Sequence, residues 1–434
     1  MSFYKLCNNV YSLISILFII ASEYVSYKIT RNYPEMIESL ANRLALINIL
    51  YVKLFQSFAL DNNMIDEEIN SKLIKYTDNV TWNDEDISNT DLISVANKYK
   101  LDLNSSNNKP INSGMISLVF KIPKEKSEEC MIIKLKRKDI DKKLDDAIQQ
   151  VLFIVYILSY IPSLKNLQIY DVIEKNIDSI REQTNFMEEI ENMELVRKNC
   201  NKMKYVIIPK VYKEVTEECP NVIMMDYIKG EKITNIKEED YKEYAKLVVK
   251  FGLVTYIMHG CTHGDLHSGN ILFIEDENRK KKIGILDFGI IYKYDEKFKC
   301  GMFNLLSSFN EIENVELIKN AFKTIVEPED ALERLPKEDY NKIIDISIEI
   351  LEKSLKNKKK ANQYQVFKFL SIMKEYVSKK ELSELGITLK DDFIKSQMFI
   401  AMSHGVTIKL CNQENVLEVV EECINEIFKT KLLF

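Results

Sequence analysis

Eight consecutive residues constrain this chain more than any other part of it: His263-Gly264-Asp265-Leu266-His267-Ser268-Gly269-Asn270. An apolar run, Ile271-Leu272-Phe273-Ile274, follows, and then Ile283-Gly284-Ile285-Leu286-Asp287-Phe288-Gly289. The pattern reads as a loop, a short hairpin and an Asp-Phe-Gly. Its residue types suit phosphoryl transfer. That chemistry needs a carboxylate to orient or deprotonate the attacking group, and oxygen ligands to fix magnesium against the phosphates. Asp265 fits the first role. Asn270, five residues on, and Asp287, at the end of the next strand, fit the second. Each piece alone is a weak signal; the order and spacing carry it.

With 434 residues the chain is long enough for two or three structural units, and 46% apolar with 29% charged residues is ordinary globular composition. Only 11 glycines and 8 prolines interrupt it, which predicts a helix-rich fold; with the strands read below, the class expected is α+β. A formal net charge of −6 gives no electrostatic basis for nucleic-acid binding, and the lysine-rich runs at 279–282 and 356–360 read as solvated surface. The eight cysteines show no paired spacing, so free thiols in a reducing, intracellular compartment are expected.

Residues 10–21, VYSLISILFIIA, form an almost wholly apolar run that Ser22-Glu23 breaks. About 12 apolar residues fall short of the roughly 20 that span a bilayer. A core or interfacial helix is the reading adopted; a membrane anchor extended through Tyr24, Val25 and Tyr27, and a cleaved leader, stay open. Residues 1–100 read as a helical extension, with apolar side chains at three- and four-residue steps and no glycine before Gly114. By themselves, Lys53 and Gln56 within it read as an exposed lysine and a capping glutamine on an amphipathic helix.

From about 101 the pattern changes. Ser113 and Gly114 precede the alternating strand Ile116-Ser117-Leu118-Val119-Phe120-Lys121, and residues 128–138 give a second strand with Lys134 inside an apolar run. Strand, turn, strand with an internal lysine is the opening of a kinase-like small lobe, where that lysine contacts nucleotide phosphates. The alternative is a lysine on the polar face. A glycine-rich phosphate loop has several glycines, and here Gly114 stands alone. Residues 144–164 read as a buried helix, and 180–200 as a charged one. Glu189 is the candidate partner of Lys134, with Glu182, Glu188, Glu191 and Glu194 as competitors. The strand ending Met225-Asp226-Tyr227 runs into Ile228-Lys229-Gly230, a hinge against which adenine would sit. The three regions expected are 1–100, 101–228 and 229–434. Few residues separate Gly289 from the helix near Glu296, and no Ala-Pro-Glu occurs, which leaves no long activation segment for a peptide. His259, His263 and His267 recur every fourth residue, but Gly260, Gly264 and Gly269 argue against one zinc-binding helix face. The reading adopted has His263 buttressing the loop and His267 near the phosphates.

Taken together these residues resemble the UbiB/AarF-type atypical kinases, and share the catalytic motif with aminoglycoside and choline phosphotransferases. Lys53-x-x-Gln56 looks like the family's Lys-x-Gly-Gln element, Pro110-Ile111 precedes the position of its alanine-rich loop, and Glu189-Ile190-Glu191-Asn192 looks like its Glu-Ala-x-Asn helix. Phe55 replaces a family glycine, Asn112-Ser113-Gly114-Met115 replaces the alanine-rich loop, and Gln183 and Asn185 stand where Glu and Asp are expected. The resemblance implies a bilobal protein-kinase-like fold that binds ATP and magnesium, with Lys53 and Gln56 contacting the active site or the nucleotide. It also implies an ATPase or atypical kinase linked to isoprenoid lipid, typically ubiquinone biosynthesis, at membranes. Expected catalytic residues are Asp265, Lys134 and Glu189. Nucleotide contacts are expected from Lys134, Met225, Asp226, Tyr227, Ser113, Gly114, Lys53, Gln56 and His267, and metal ligands are Asn270 and Asp287. The partners are ATP and an unidentified lipid or small-molecule acceptor, with a membrane surface through residues 10–27. The alternatives are a soluble small-molecule phosphotransferase and a non-catalytic nucleotide-binding protein.

Overall fold

The computed structural model describes residues 3–48, 50–51, 80–103, 109–158, 181–308, 314–355, 386–411 and 413–429, so Lys53 and Gln56 lie outside the described residues. The chain forms two compact units, residues 1–194 with 209–228, and residues 195–208 with 229–434.

The first unit opens with helices α1 (Phe3–Thr30) and α2 (Tyr33–Ile47), then α3 (Asn89–Tyr99). Its sheet has the order β1-β2-β3-β5, with β1 (Asn112–Ser113), β2 (Ser117–Pro123) and β3 (Cys130–Lys136). Helices α4 (Ile140–Leu158) and α5 (Phe186–Asn199) follow, and the two-residue β4 (Val206–Ile207) belongs to the second unit. The chain then returns through the short α6 (Lys213–Glu218) into β5 (Val222–Asp226). All pairs in the four-stranded sheet are antiparallel, and Lys134 sits opposite Val119 on one side and Ile223 on the other.

Period-two alternation decides which face each side chain takes. Leu118, Phe120 and Ile122 of β2 and Met131, Ile133 and Leu135 of β3 are buried in one cluster with Leu92, Val95 and Ala96 of α3. The same alternation turns Lys134, between Ile133 and Leu135, to the opposite face.

Three sequence expectations are refined. The apolar run ends at Ala21 but the helix does not: α1 continues to Thr30, and Arg43 of α2 donates to Ser22 Oγ and Glu23 Oε1, both at 2.7 Å, so the acid faces inward. The charged helix begins at Phe186 instead of 180, since Asn185 caps it: Oδ1 accepts the Glu188 N–H at 3.3 Å and its carbonyl the Glu189 N–H at 3.1 Å. The apolar helix starts earlier, at Ile140, and is only half enclosed, with Tyr156 exposed.

The second unit is built on α7 (Tyr241–Ile257), buried on almost every side of its C-terminal half. After it come β6 (Cys261–His263), the hairpin β7 (Ile271–Glu275) and β8 (Lys281–Ile285), and β9 (Ile291–Lys293). The longer helices that follow among the described residues are α8 (Glu296–Ser308), α9 (Asn314–Ile325), α10 (Lys337–Leu355), α11 (Asp391–Leu410) and α12 (Gln413–Lys429). Lys242, Lys246 and Lys250 of α7 meet Glu418, Glu422 and Glu426 of α12 in register. The eight cysteines form no disulfide.

Ile133 is fully enclosed. Ile133→Ala is therefore expected to lower unfolding free energy by about 3 kcal/mol, measured by urea denaturation. A loss under about 1 kcal/mol would mean the sheet does not anchor this core.

Candidate active site

In the first unit, Lys134 Nζ donates to both carboxylate oxygens of Glu189, at 2.6 and 2.8 Å. Of the five acids that compete in sequence, Glu189 is the one that meets the lysine, because the Asn185 cap sets the register of α5. Both partners are buried, and the Phe186 ring lies 5.7 Å from the ammonium. Sequence reasoning passed over Phe186; its place at the start of the helix carrying Glu189 is the signal.

Met225 is buried and pairs with Ile132. Asp226 turns towards the protein: its N–H donates to Lys210 O at 3.0 Å and its carboxylate accepts from Tyr212 Oη at 2.9 Å. Tyr227 is partly exposed, with Lys121 Nζ 3.9 Å from its ring centroid. Ser113 Oγ donates to Val80 O at 2.5 Å, and Gly114 N–H donates to Ser117 O at 2.8 Å. Both expected loop contacts are thus engaged within the protein.

The second unit holds the loop. Gly264 donates its N–H to Ile290 O, and a Cβ there would lie 2.3 Å from Ile290 Cγ2, so any side chain would have to displace Ile290. Buried His263 accepts the Asp265 N–H on Nδ1 at 3.2 Å. Its neutral ring then carries the proton on Nε2, which donates to Leu286 O at 3.3 Å. Burial pushes the His263 pKa down, which favours that neutral form. Phe288 packs against it at 5.3 Å, tying the loop to Asp-Phe-Gly. His267 Nδ1 accepts the Gly269 N–H at 3.1 Å. His259 lies in the turn before β6, so the three histidines occupy different elements.

Asn270 Nδ2 donates to the Asp265 carbonyl at 2.9 Å, so Oδ1 is the atom of this side chain that could hold a cation. Asp287 has φ of 55°, a left-handed conformation Asp tolerates better than most residues, and its Oδ1 accepts the Gly289 N–H at 3.1 Å. One carboxylate and one amide oxygen suit magnesium, which keeps waters and phosphate oxygens as its remaining ligands. No group of three or more metal-binding side chains occurs among the described residues.

Glu189→Ala is expected to destabilise the fold by about 3–5 kcal/mol, because it removes the carboxylate that accepts two hydrogen bonds from a buried ammonium. The double variant Lys134→Met/Glu189→Leu should recover most of that loss in urea denaturation. Equal stability of wild type and Glu189→Ala would show the pair is not enclosed in solution.

A family profile described as ABC1 atypical kinase-like domain matches residues 91–321. The chain is 22% identical over 272 residues to a probable serine/threonine-protein kinase abkD of Dictyostelium discoideum, covering 59% of this chain and 37% of that protein. It is 25% identical over 262 residues to a probable protein kinase UbiB of Blochmanniella pennsylvanica, covering 54% and 47%. The chain therefore spans less than half the length of these curated relatives. Among solved structures, the complex of Rv3197 with erythromycin from Mycobacterium tuberculosis aligns with TM-score 0.46 at 16% identity, over 72% of this chain and 75% of that one. The profile match takes in more than half of the chain and holds Lys134, Glu189, Asp265, Asn270 and Asp287 together. The chain belongs to the ABC1 family of UbiB/AarF-type atypical kinases and has their kinase-like fold.

Proposed function

We propose that this protein binds ATP with magnesium and transfers or hydrolyses the γ-phosphoryl group, acting on or with isoprenoid (quinone-type) lipid metabolism. The observation that carries this reading is the Lys134–Glu189 pair. A buried ion pair is a poor stabiliser compared with apolar residues of the same volume, so its presence is better explained by a phosphate-binding task. In this reading Lys134 contacts the phosphates and Glu189 holds it. Asp265 orients or deprotonates the attacking oxygen, with its backbone fixed by His263 and Asn270. Magnesium, held through Asn270 Oδ1 and Asp287, would neutralise charge developing on the phosphates. His267 and the Met225–Tyr227 strand end are the remaining proposed nucleotide contacts.

Only residues 290–295 separate Asp-Phe-Gly from α8, and β9 takes up half of them, which leaves no platform for a peptide. This supports a lipid or small-molecule acceptor.

A lipid surface is further supported by α1. Its inward stripe contains Asn9, Ser12 and Glu23 beside Ile16 and Ile19, while its outward face carries Tyr11, Ile14, Leu17, Phe18, Tyr24 and Ile29. Among the described residues, nine of the seventeen large apolar side chains that stand exposed lie on this helix. A helix more apolar outside than inside needs an apolar environment on its outer face. Its polar bonds to α2 and α4 favour lying in the membrane plane over crossing it: Glu23 to Arg43, and Ser12 Oγ to Gln150 at 3.4 Å.

Purified protein is expected to hydrolyse ATP in a magnesium-dependent manner, faster with liposomes or a substituted phenol. Asp265→Asn should lower kcat by about 100-fold or more, and Asp287→Asn should abolish the magnesium-dependent part. Turnover equal in wild type and both variants would remove the catalytic reading and leave a nucleotide-binding protein. In liposome flotation, wild type should float with anionic vesicles and Leu17→Asp/Phe18→Asp should remain at the bottom. A wild-type protein that stays down removes the membrane assignment.

A further inference from the structure

Arg137, three residues beyond Lys134, is only 6% exposed, slightly more enclosed than Lys134 itself at 8%. Its guanidinium reaches two separate pieces of chain. Nε donates to Gly114 O at 3.0 Å. Nη1 donates to Thr81 O at 3.1 Å and to Asp86 Oδ2 at 2.8 Å, and Nη2 donates to Val80 O at 3.3 Å. Its backbone N–H donates to Ile116 O at 2.9 Å. Asp86 is itself fixed: Oδ2 accepts the Asn83 N–H at 3.2 Å and Oδ1 accepts from Lys143 Nζ at 3.2 Å. Segment 80–86 and loop 113–117 are therefore fastened through one rigid fork, a geometry a lysine ammonium cannot copy.

The loop needs such a fastener. A Cβ on Gly114 would meet nothing closer than Ser117 O at 3.6 Å, so glycine's freedom does not shape this turn. The Gly114 N–H is bonded to Ser117 O and its carbonyl to Arg137, which fixes the peptide planes on both sides. At the tip, the N–H groups of Met115 and Ile116 have no protein acceptor among the described residues. Two successive N–H groups in a fixed turn form an anion-binding concavity.

We propose that Arg137 is a positioning residue for nucleotide binding: by clamping Gly114 to the Val80–Asp86 segment it sets the turn whose tip receives phosphate, replacing the glycines of a glycine-rich loop. This rests on the nucleotide-binding part of the proposed function. It acts on affinity and leaves the chemical step alone.

The test uses the full chain with Arg137→Lys, Arg137→Gln and, as a milder variant, Asp86→Asn. Three readouts are needed: the MgATP dissociation constant, kcat at saturation, and amide hydrogen exchange. Arg137→Lys is expected to weaken MgATP about tenfold, the scale of one charge-assisted hydrogen bond. Exchange should rise at 80–86 and 112–118 only, and kcat should stay within about twofold. Asp86→Asn should give the same pattern, smaller. Unchanged affinity with unchanged exchange overturns the clamp, as does a joint fall of kcat, affinity and melting temperature in all variants, which marks a merely structural arginine. Weaker binding in the variants of a wild type that never turns over ATP supports the clamp and overturns the catalytic reading alone. A wild type that binds no nucleotide overturns both.

Discussion

Much of the first unit is explained by the cost of burying one ammonium. An ion taken out of water keeps several kcal/mol of penalty unless its partner is close and well aimed, and Lys134 meets that condition by donating two hydrogen bonds to one carboxylate. To bring that about, β3 must alternate so that Ile133 and Leu135 face the core and Lys134 faces away. Helix α5 must also start where it does, so that Glu189 and not Glu188 or Glu191 arrives. Moving the helix start by one residue would rotate the stripe by about 100° and present a different acid. The stop at Asn185 is therefore as much a part of the pair as the carboxylate.

The second unit solves a different problem, holding an irregular loop without leaving its backbone unpaired. The Asp265 carbonyl accepts from Asn270 Nδ2 and from the His267 N–H, the Asp265 N–H goes to His263, and the Leu286 N–H goes to Asn270 O. The first three tie the loop to itself, and the last joins it to the residue that leads into Asp-Phe-Gly. Asp265, Asn270 and Asp287 are consequently set by backbone geometry, and none depends on a long flexible side chain. Preorganisation of this kind is what a reaction dominated by positioning and charge requires.

The layout of the Asp265–Asp287 stretch was legible because its pattern is local: fixed spacing from Asp265 to Asn270, then a hairpin to Asp287. The internal lysine was legible from strand alternation. The partner of Lys134 could only be shortlisted, since five acids lie within one helical region and choosing among them needs the helix start. Arg137 was invisible. A charged residue at a strand end is exposed in most proteins, and only the three-dimensional meeting of Gly114, Val80 and Asp86 shows that this one is enclosed. The continuation of α1 through Glu23 was likewise hidden, because the cation that accepts Glu23 inward lies on the next helix.

The amides at 183 and 185 look different in this light. Relative to the resembling family they remove two carboxylates, which in sequence suggests a weakened site. Asn185, however, is the cap of α5, and Asn caps a helix about as well as Asp does, because the side-chain oxygen that accepts the N–H is retained. What an Asp there would add is charge, through attraction to the helix N-terminus and competence as a hard-cation ligand. The substitution thus separates two roles that one carboxylate can combine: it keeps the register that delivers Glu189 to Lys134 and gives up the negative charge. On the proposed reading, magnesium then depends on Asn270 and Asp287 in the second unit, and the helix carrying Glu189 serves the phosphates through Lys134 alone.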